Sequence, residues 1–309
     1  MLNRFDGISD FDLKPFTTLK IGGLAQVAYS PTSVGDMIEC IKFHHKKNEP
    51  INVIGAGSNL LVSSHGVEGG VVLTHKLRDV IQIEDDKIYA LCGAKASAFS
   101  KVAYEAGLTG AEFMIGIPGS VGGALYMNAG AHGENLKPIL ESVKILNMKS
   151  YVVTEVPVKY LKFNYRKSTF MNDGNMVLSA IFKMQKGDKD KIKERMDFHV
   201  NYRAKNHPPL SEFSAGSTFR NPKGHYAANL LESVGAKDYI ENSVVKFSSK
   251  HANFLYNFND ATSTDVVRLM HNMWSKVKSE YGIKLHPEIR FVGIRTKEED
   301  KLWKAMIRR

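Results

Sequence analysis

Between Gly116 and Gly133 the chain reads GIPGSVGGALYMNAGAHG, in which six of eighteen residues are glycine and three more are alanine. So many small side chains cannot fill a core; they suit backbone that must approach a large flat or phosphorylated ligand, with Pro118 stiffening the path and Asn128 offering an amide. The pattern excludes two common chemistries. No GxxxxGK[ST] run is present, and Pro118 stands where a GxSxG nucleophile elbow around Ser120 needs its first glycine, so neither a P-loop ATPase nor an α/β-hydrolase is expected.

A second glycine turn lies upstream, in VIGAGSNLLV at 53–62. Gly55 and Gly57 permit a tight turn, and successive amides through Ala56, Ser58 and Asn59 would form an anion-binding nest. The turn is not a dinucleotide fingerprint, because Leu60 occupies the place of the last small residue and Leu61-Val62-Ser63 continues as strand instead of opening a helix. Taken alone, it also reads as an ordinary glycine hairpin.

Short apolar runs at 51–64, 67–77, 80–94, 143–158, 244–248 and 252–258 predict strands. Helical spacing predicts helices from near Ser33 to 44–48, over 96–108 with Gly107 as its stop, at about 225–235, and over 263–282 with a Ser/Thr start and a glycine stop. Strands mixed with few helices suggest an α+β fold. The densely charged stretch 186–210, broken by Pro208 and Pro209, is read as a domain boundary, and the C-terminal 298–309 as a solvated end in preference to an amphipathic helix touching a membrane or a partner.

With 309 residues the chain is long enough for about two domains. Cys40 and Cys92, its only cysteines, lack CxxC spacing and are expected to be buried small hydrophobes. The N-terminus carries no apolar leader region and no run of 18 apolar residues occurs, so a cytoplasmic protein without stable membrane association is expected. Forty-two Lys and Arg against 32 Asp and Glu give a net charge of +10, which favours anionic partners. No nucleic-acid-reading motif accompanies it, so nucleic acid is not expected among them. The eleven histidines show no HExxH and no metal-ligand spacing, so no metal is expected.

Three polar positions carry possible chemistry. Arg166, beside Tyr165 in FNYRKS, suits a bidentate clamp on a carboxylate or phosphate, though a surface strand arginine is the plainer reading. Ser217 lies in the small-residue turn SAGSTFRNP, where it is either an exposed hydroxyl or a turn serine. Glu288, in HPEIRFVG, is a strand carboxylate whose direction the sequence leaves open.

In order along the chain, TTLKIGG (17–23), VIGAGSNLLV, GIPGSVGGALYMNAGAHG, FNYRKS, SAGSTFRNP, HANFLYN (251–257) and PEIRFVG (287–293) resemble the UDP-N-acetylenolpyruvoylglucosamine reductase family nearly end to end, in its shorter, second subclass. The resemblance implies a PCMH-type, vanillyl-alcohol-oxidase-like FAD-binding region over 1–200, with subdomains at about 1–75 and 76–200. It further implies an α+β substrate-binding domain over 201–285 and a segment 286–309 that returns to the flavin. It implies non-covalent FAD, NADPH as co-substrate, and the enolpyruvyl ether of UDP-N-acetylglucosamine as the compound reduced. Arg166, Ser217 and Glu288 match the family's catalytic positions. Gly55, Ala56, Gly57, Ser58, Asn59, Pro118, Gly119, Ser120, Gly122, Gly123, Asn128 and Gly130 match its flavin contacts, and Tyr165 and Asn221 its substrate side. Asn229 departs from a commonly basic residue, and His207 from a frequent glutamine. The competing readings are another PCMH-type flavoprotein oxidase or dehydrogenase, whose usual linking histidine is missing from 55–59, and a basic nucleic-acid-binding module.

Overall fold

Strands 140–147 and 175–183 are buried over most of their length, which fits them for the middle of a sheet and not its rim. The computed structural model describes residues 6–308; residues 1–5, part of the N-terminal stretch read above for a leader, lie outside that range. The two strands sit inside a five-stranded antiparallel sheet in the order 153–157, 140–147, 175–183, 87–91, 80–84. The outermost two are largely exposed.

Contacts gather the described residues into two compact units, the first chiefly Tyr29–Ala56 and Val72–Arg203, the second Ile8–Ala28, Gly57–Val71 and the chain from Ala204 onward. Unit one carries the five-stranded sheet and helices α1 (Val34–Lys46), α2 (Ala96–Glu105), α3 (Val121–Met127), α4 (Thr169–Asp173) and α5 (Lys189–Asn206), the last of which runs across the boundary. Ser33 caps α1, its hydroxyl accepting the Asp36 amide at 3.0 Å. Phe99 of α2 packs on Phe182 of the sheet with ring centroids 4.4 Å apart. Cys40 and Cys92 are both buried and free, and burial pushes each thiol up to about 12, so they pack as hydrophobes.

Unit two is built on a four-stranded antiparallel sheet in the order 213–217, 254–257, 245–247, 240–241, with helices α6 (Ala227–Ser233), α7 (Ser263–Tyr281) and α8 (Lys297–Ile307). α7 starts at a capping box between Thr262 and Asp265, ends at Gly282 with φ +68°, and buries Val266, Met270, Met273, Trp274 and Val277 in the core. Strand 290–292 pairs in parallel with 60–62, placing Arg290 opposite Leu60. The C-terminus corrects the expectation of a solvated end. α8 has its own capping box between Thr296 and Glu299 and buries Trp303 and Met306, with the Trp303 ring 5.5 Å from Phe291. No helix among the described residues is long and apolar enough to cross a membrane.

Candidate active site

In unit one the glycine-rich segment folds into helix α3 instead of a continuous loop. Ser120 caps it, accepting the Gly123 amide at 3.2 Å, while Val121 donates to the Ala94 carbonyl and Gly122 to the Cys92 carbonyl, each at 2.8 Å. These three amides are spent inside the protein, so the helical part of the segment, Val121 to Gly123, offers no free donors. Its glycines answer to close packing: a Cβ on Gly122 would lie 2.7 Å from that of Cys92, one on Gly130 would lie 2.3 Å from the Glu134 carbonyl oxygen, and one on Gly55 would meet the Ser120 hydroxyl at 2.5 Å. Gly123 is different. It is exposed, and a Cβ there would touch only Ser120 Oγ, at 3.2 Å, which leaves open ground for a flat ligand over the first turn of α3.

The same helix positions Arg166. α3 ends at Asn128, in left-handed backbone with φ +44°, and the Asn128 side chain donates to the Asn164 carbonyl at 2.8 Å while Ser168 donates to the Tyr126 carbonyl at 2.6 Å. Those two bonds hold the hairpin of 163–164 with 167–168, whose two-residue tip is Tyr165–Arg166. Arg166 itself sits at φ +51°, its guanidinium 5.1 Å from the exposed Tyr165 ring. A bulky residue in left-handed backbone at a tip fastened from both sides marks a site where direction matters more than ease of folding.

Unit two gathers the other two residues. Gly216, at φ +76°, lies where the pairing of 213–217 with 254–257 shifts register between Ser214 and Ser217, and pairing resumes at Ser217, half-buried opposite Phe254. The next residue, Thr218, accepts the Glu288 amide on its carbonyl at 2.8 Å and receives Asn253 on the other side, its own amide donating to the Asn253 carbonyl at 2.8 Å. Glu288 is 8 % exposed, and its carbonyl accepts from Asn59 Nδ2 at 3.2 Å, while the Asn59 carbonyl accepts the Arg290 amide at 3.0 Å. Ser217, Glu288 and the end of the 55–59 turn are thereby tied through backbone within one unit. Gly57 has φ +64° and no room for a side chain, since a Cβ would fall 2.1 Å from the Phe16 carbonyl oxygen. Among the described residues no group accepts from the amides of Ala56, Gly57 or Ser58. This turn, unlike α3, keeps donors for an anion. Asn221 places its carbonyl oxygen 2.9 Å from the Ala227 amide, fastening the start of α6.

An FAD binding domain model matches residues 25–154, and the model of the UDP-N-acetylenolpyruvoylglucosamine reductase C-terminal domain matches 208–292. Over 281 residues the chain is 40 % identical to a UDP-N-acetylenolpyruvoylglucosamine reductase of Caldanaerobacter subterraneus subsp. tengcongensis, covering 91 % of this chain and 92 % of the relative. The chain belongs to the UDP-N-acetylenolpyruvoylglucosamine reductase family. A reductase of the same description from Clostridium beijerinckii is 38 % identical over 276 residues, 89 % of each chain. The crystal structure of the enzyme from Thermus caldophilus superposes with a TM-score of 0.77 at 28 % identity, covering 94 % of this chain and 99 % of that one. As a member of this reductase family with an FAD-binding domain, the chain is an FAD-dependent oxidoreductase, which removes the nucleic-acid-binding alternative.

Within the family frame, three residues of unit one stand out that sequence reasoning passed over. Arg203 lies on the inward stripe of α5 one turn beyond His199, and burial holds its guanidinium below the ordinary arginine value. Glu134 and His199 meet at 2.9 Å across the segment that follows α3. The signal for Arg203 and His199 was the spacing of Ile192, Met196, His199 and Arg203, one helical face hidden in a segment that reads as charged throughout. Of the departures from the family, His207 stacks on Phe254 with centroids 5.1 Å apart and lies 5.6 Å from His251, whose pKa burial pushes down. Asn229 is exposed on α6.

Proposed function

We propose that this chain reduces the enolpyruvyl ether of UDP-N-acetylglucosamine to the lactyl ether, UDP-N-acetylmuramate, with NADPH as electron source, in the cytoplasm and toward peptidoglycan precursor. Besides family membership, one observation supports the reading: the amide of buried Glu288 donates to the Thr218 carbonyl at 2.8 Å, which brings Glu288 beside the residue that follows Ser217.

FAD, held without a covalent link, supplies the two-electron chemistry between NADPH and the vinyl group. The 55–59 turn would bind its diphosphate with the amides of Ala56, Gly57 and Ser58, and the open surface at Gly123 would take its ring, with Pro118, Gly119, Ser120, Gly122, Asn128 and Gly130 shaping that surface. Hydride addition at the terminal CH2 leaves negative charge on the carbon bearing the carboxylate. Arg166 would hold the carboxylate through two parallel hydrogen bonds and stabilise that charge, with Tyr165 beside it. Glu288 would polarise the same group, and Ser217 would give its proton to the carbon that becomes the lactyl centre. A hydroxyl suffices here because the carbanion it meets is strongly basic. Asn221 would contact the substrate from unit two.

Separating the two half-reactions in Ser217→Ala tests the assignment. Flavin reduction by NADPH needs no proton from Ser217 and should keep its stopped-flow rate. Reoxidation by the enolpyruvyl substrate should slow by about two to four decades, the scale of general acid catalysis, and Ser217→Cys should recover part of it. Equal slowing of both halves would make Ser217 a residue that shapes the flavin site, and unchanged reoxidation would remove it from the chemistry.

A further inference from the structure

The segment after α3 turns back on itself as a small hairpin, Gly130–Ala131 against Glu134–Asn135, with His132 at φ +54° and Gly133 at φ +84° in its tip. Two successive left-handed residues make this the turn type that matches strand twist, but His132 has no glycine-like ease there. Its ring is held from outside: it lies edge-on to Tyr202 at 4.1 Å and 5.3 Å from His199, both on α5. The Glu134 carboxylate divides itself between two residues of the same helix, one oxygen 2.9 Å from His199 Nε2 and the other on Arg195. Arg195 reaches further, with its second nitrogen 3.4 Å from Glu112, a carboxylate 1 % exposed that also accepts the Thr109 hydroxyl at 2.6 Å and the Gly110 amide at 2.7 Å. On the same stretch of helix, a Cβ on Gly116 would sit 3.4 Å from the His199 carbonyl oxygen.

Residues 112–116 lead into the glycine-rich segment and 130–135 lead out of it, so both its ends are pinned to two turns of α5. We propose that Glu134, His199 and Arg195 form a latch that sets the position of the segment 116–130 and with it the protein's hold on flavin. Resting on the reading of 116–130 as the flavin surface, the inference makes these three positioning residues, not catalytic ones.

The latch has a direction of pH dependence. The groups facing His199 are Glu134 and His132 from the hairpin and Arg195 from its own helix, with Tyr202 against His132 and Glu112 behind Arg195. Since Glu134 accepts from Nε2, the neutral ring carries its proton there, and Nδ1 is buried with no partner among the described residues. A second proton would enter a dry place beside Arg195, and burial accordingly keeps the His199 pKa below the ordinary imidazole value. Released from the latch, the ring would titrate near that ordinary value, about 6.5. The latch is therefore fully favoured above that pH and weakens as pH falls below it.

The test measures the FAD dissociation constant of apoprotein from pH 8 to pH 5 by flavin fluorescence, together with the visible spectrum of the bound flavin. The native protein should lose affinity below about pH 6.5, by up to about tenfold per pH unit for one linked proton. His199→Gln, which keeps a donor for Glu134 but cannot titrate, should flatten that arm while binding FAD at neutral pH within about threefold of the native value. Glu134→Gln should weaken binding at every pH and shift the flavin spectrum, with circular dichroism confirming that it is folded. An acid arm in His199→Gln as steep as the native one, or a Glu134→Gln protein with native affinity and spectrum, would overturn the latch. Gly123→Leu serves to separate the two readings, because it adds bulk on the exposed first turn of α3 where the protein has room. If that variant binds FAD normally, the flavin surface itself is misplaced and the latch falls with it. If it loses FAD while both latch variants behave as native, only the latch is wrong.

Discussion

Arg166 is folded at a cost. A non-glycine residue in left-handed backbone gives up about 1–2 kcal/mol, and nothing in a two-residue hairpin tip demands an arginine. The bonds from Asn128 to Asn164 and from Ser168 to Tyr126 hold the tip in place regardless, which is the arrangement expected where a guanidinium must face one way. Arg166→Gly should therefore raise stability by up to about 1 kcal/mol while abolishing measurable turnover. Arg166→Lys should slow turnover on the order of a hundredfold, since an ammonium keeps the charge and loses the fork, about 3 kcal/mol of transition-state stabilisation. Thermal unfolding and steady-state rates on the same preparations check both arms, and a Lys variant with near-native turnover would return Arg166 to an ordinary hairpin residue. Taken singly, Arg166, Ser217 and Glu288 read in sequence as an ordinary strand or turn residue each; only the resemblance of the runs around them to the reductase family gives them roles. For His199 and Arg203 the only signal was their spacing with Ile192 and Met196 in a segment that reads as charged throughout, and Glu134 had none, because its partners come from a helix about sixty residues away.

At the scale of elements, α3 and α8 show what local patterns convey and what they miss. Ser120 followed by Gly122 and Gly123 suggests loop by propensity, since glycine in a helix is unfavourable by about 1 kcal/mol relative to alanine. α3 forms because the amides of Val121, Gly122 and Gly123 are all satisfied from outside its own ladder and because a larger residue at 122 would strike Cys92. Helices α1, α2, α6 and α7 were legible because their apolar spacing is local, and α1 and α7 also carry their own caps, Ser33 and Thr262. α8 was misjudged for want of its partner: Glu299, 0 % exposed, caps its own helix at the Thr296 amide, 2.8 Å away, and also accepts the hydroxyls of Ser263 at 2.6 Å and Thr264 at 3.1 Å in the first turn of α7. One carboxylate thus joins two helix starts. Glu299→Ala would strand these buried donors and should destabilise the protein by about 2–4 kcal/mol, whereas Glu299→Gln, which still accepts, should lose distinctly less. Denaturant titration followed by tryptophan fluorescence reads this directly, because Trp303 and Trp274 both lie in the core these helices share. Equal midpoints for the Ala variant and the native protein would show that α8 is held by its apolar face alone.

At the scale of the whole molecule, linear order is a poor guide to grouping. The segments 8–28 and 57–71 gather with the chain from Ala204 onward, through pairings such as 290–292 with 60–62 that join residues more than two hundred positions apart. Nothing in a local window announces such a pairing, and the charged run 186–210 with its two prolines does not say which distant segments join the chain that follows it. The charge surplus is likewise a property of the molecule and of no single motif. With a net charge of +10 and substrates that are all anions, a diphosphate and a carboxylate on one and phosphates on NADPH, long-range attraction should speed encounter without touching the bound state. Encounter is screened once the Debye length shrinks, from about 30 Å at 0.01 M salt to under 10 Å above 0.1 M. The rate constant for flavin reduction at limiting NADPH should therefore fall about three- to tenfold between 10 and 300 mM sodium chloride. The limiting rate at saturating NADPH should stay constant, because screening acts on the encounter and not on the complex once formed. Repeating the titration with sodium sulfate at matched ionic strength separates screening from anion competition, which would depend on the ion and not on its strength alone. A second-order rate constant flat across the salt range would mean that the surplus lies away from the approach path.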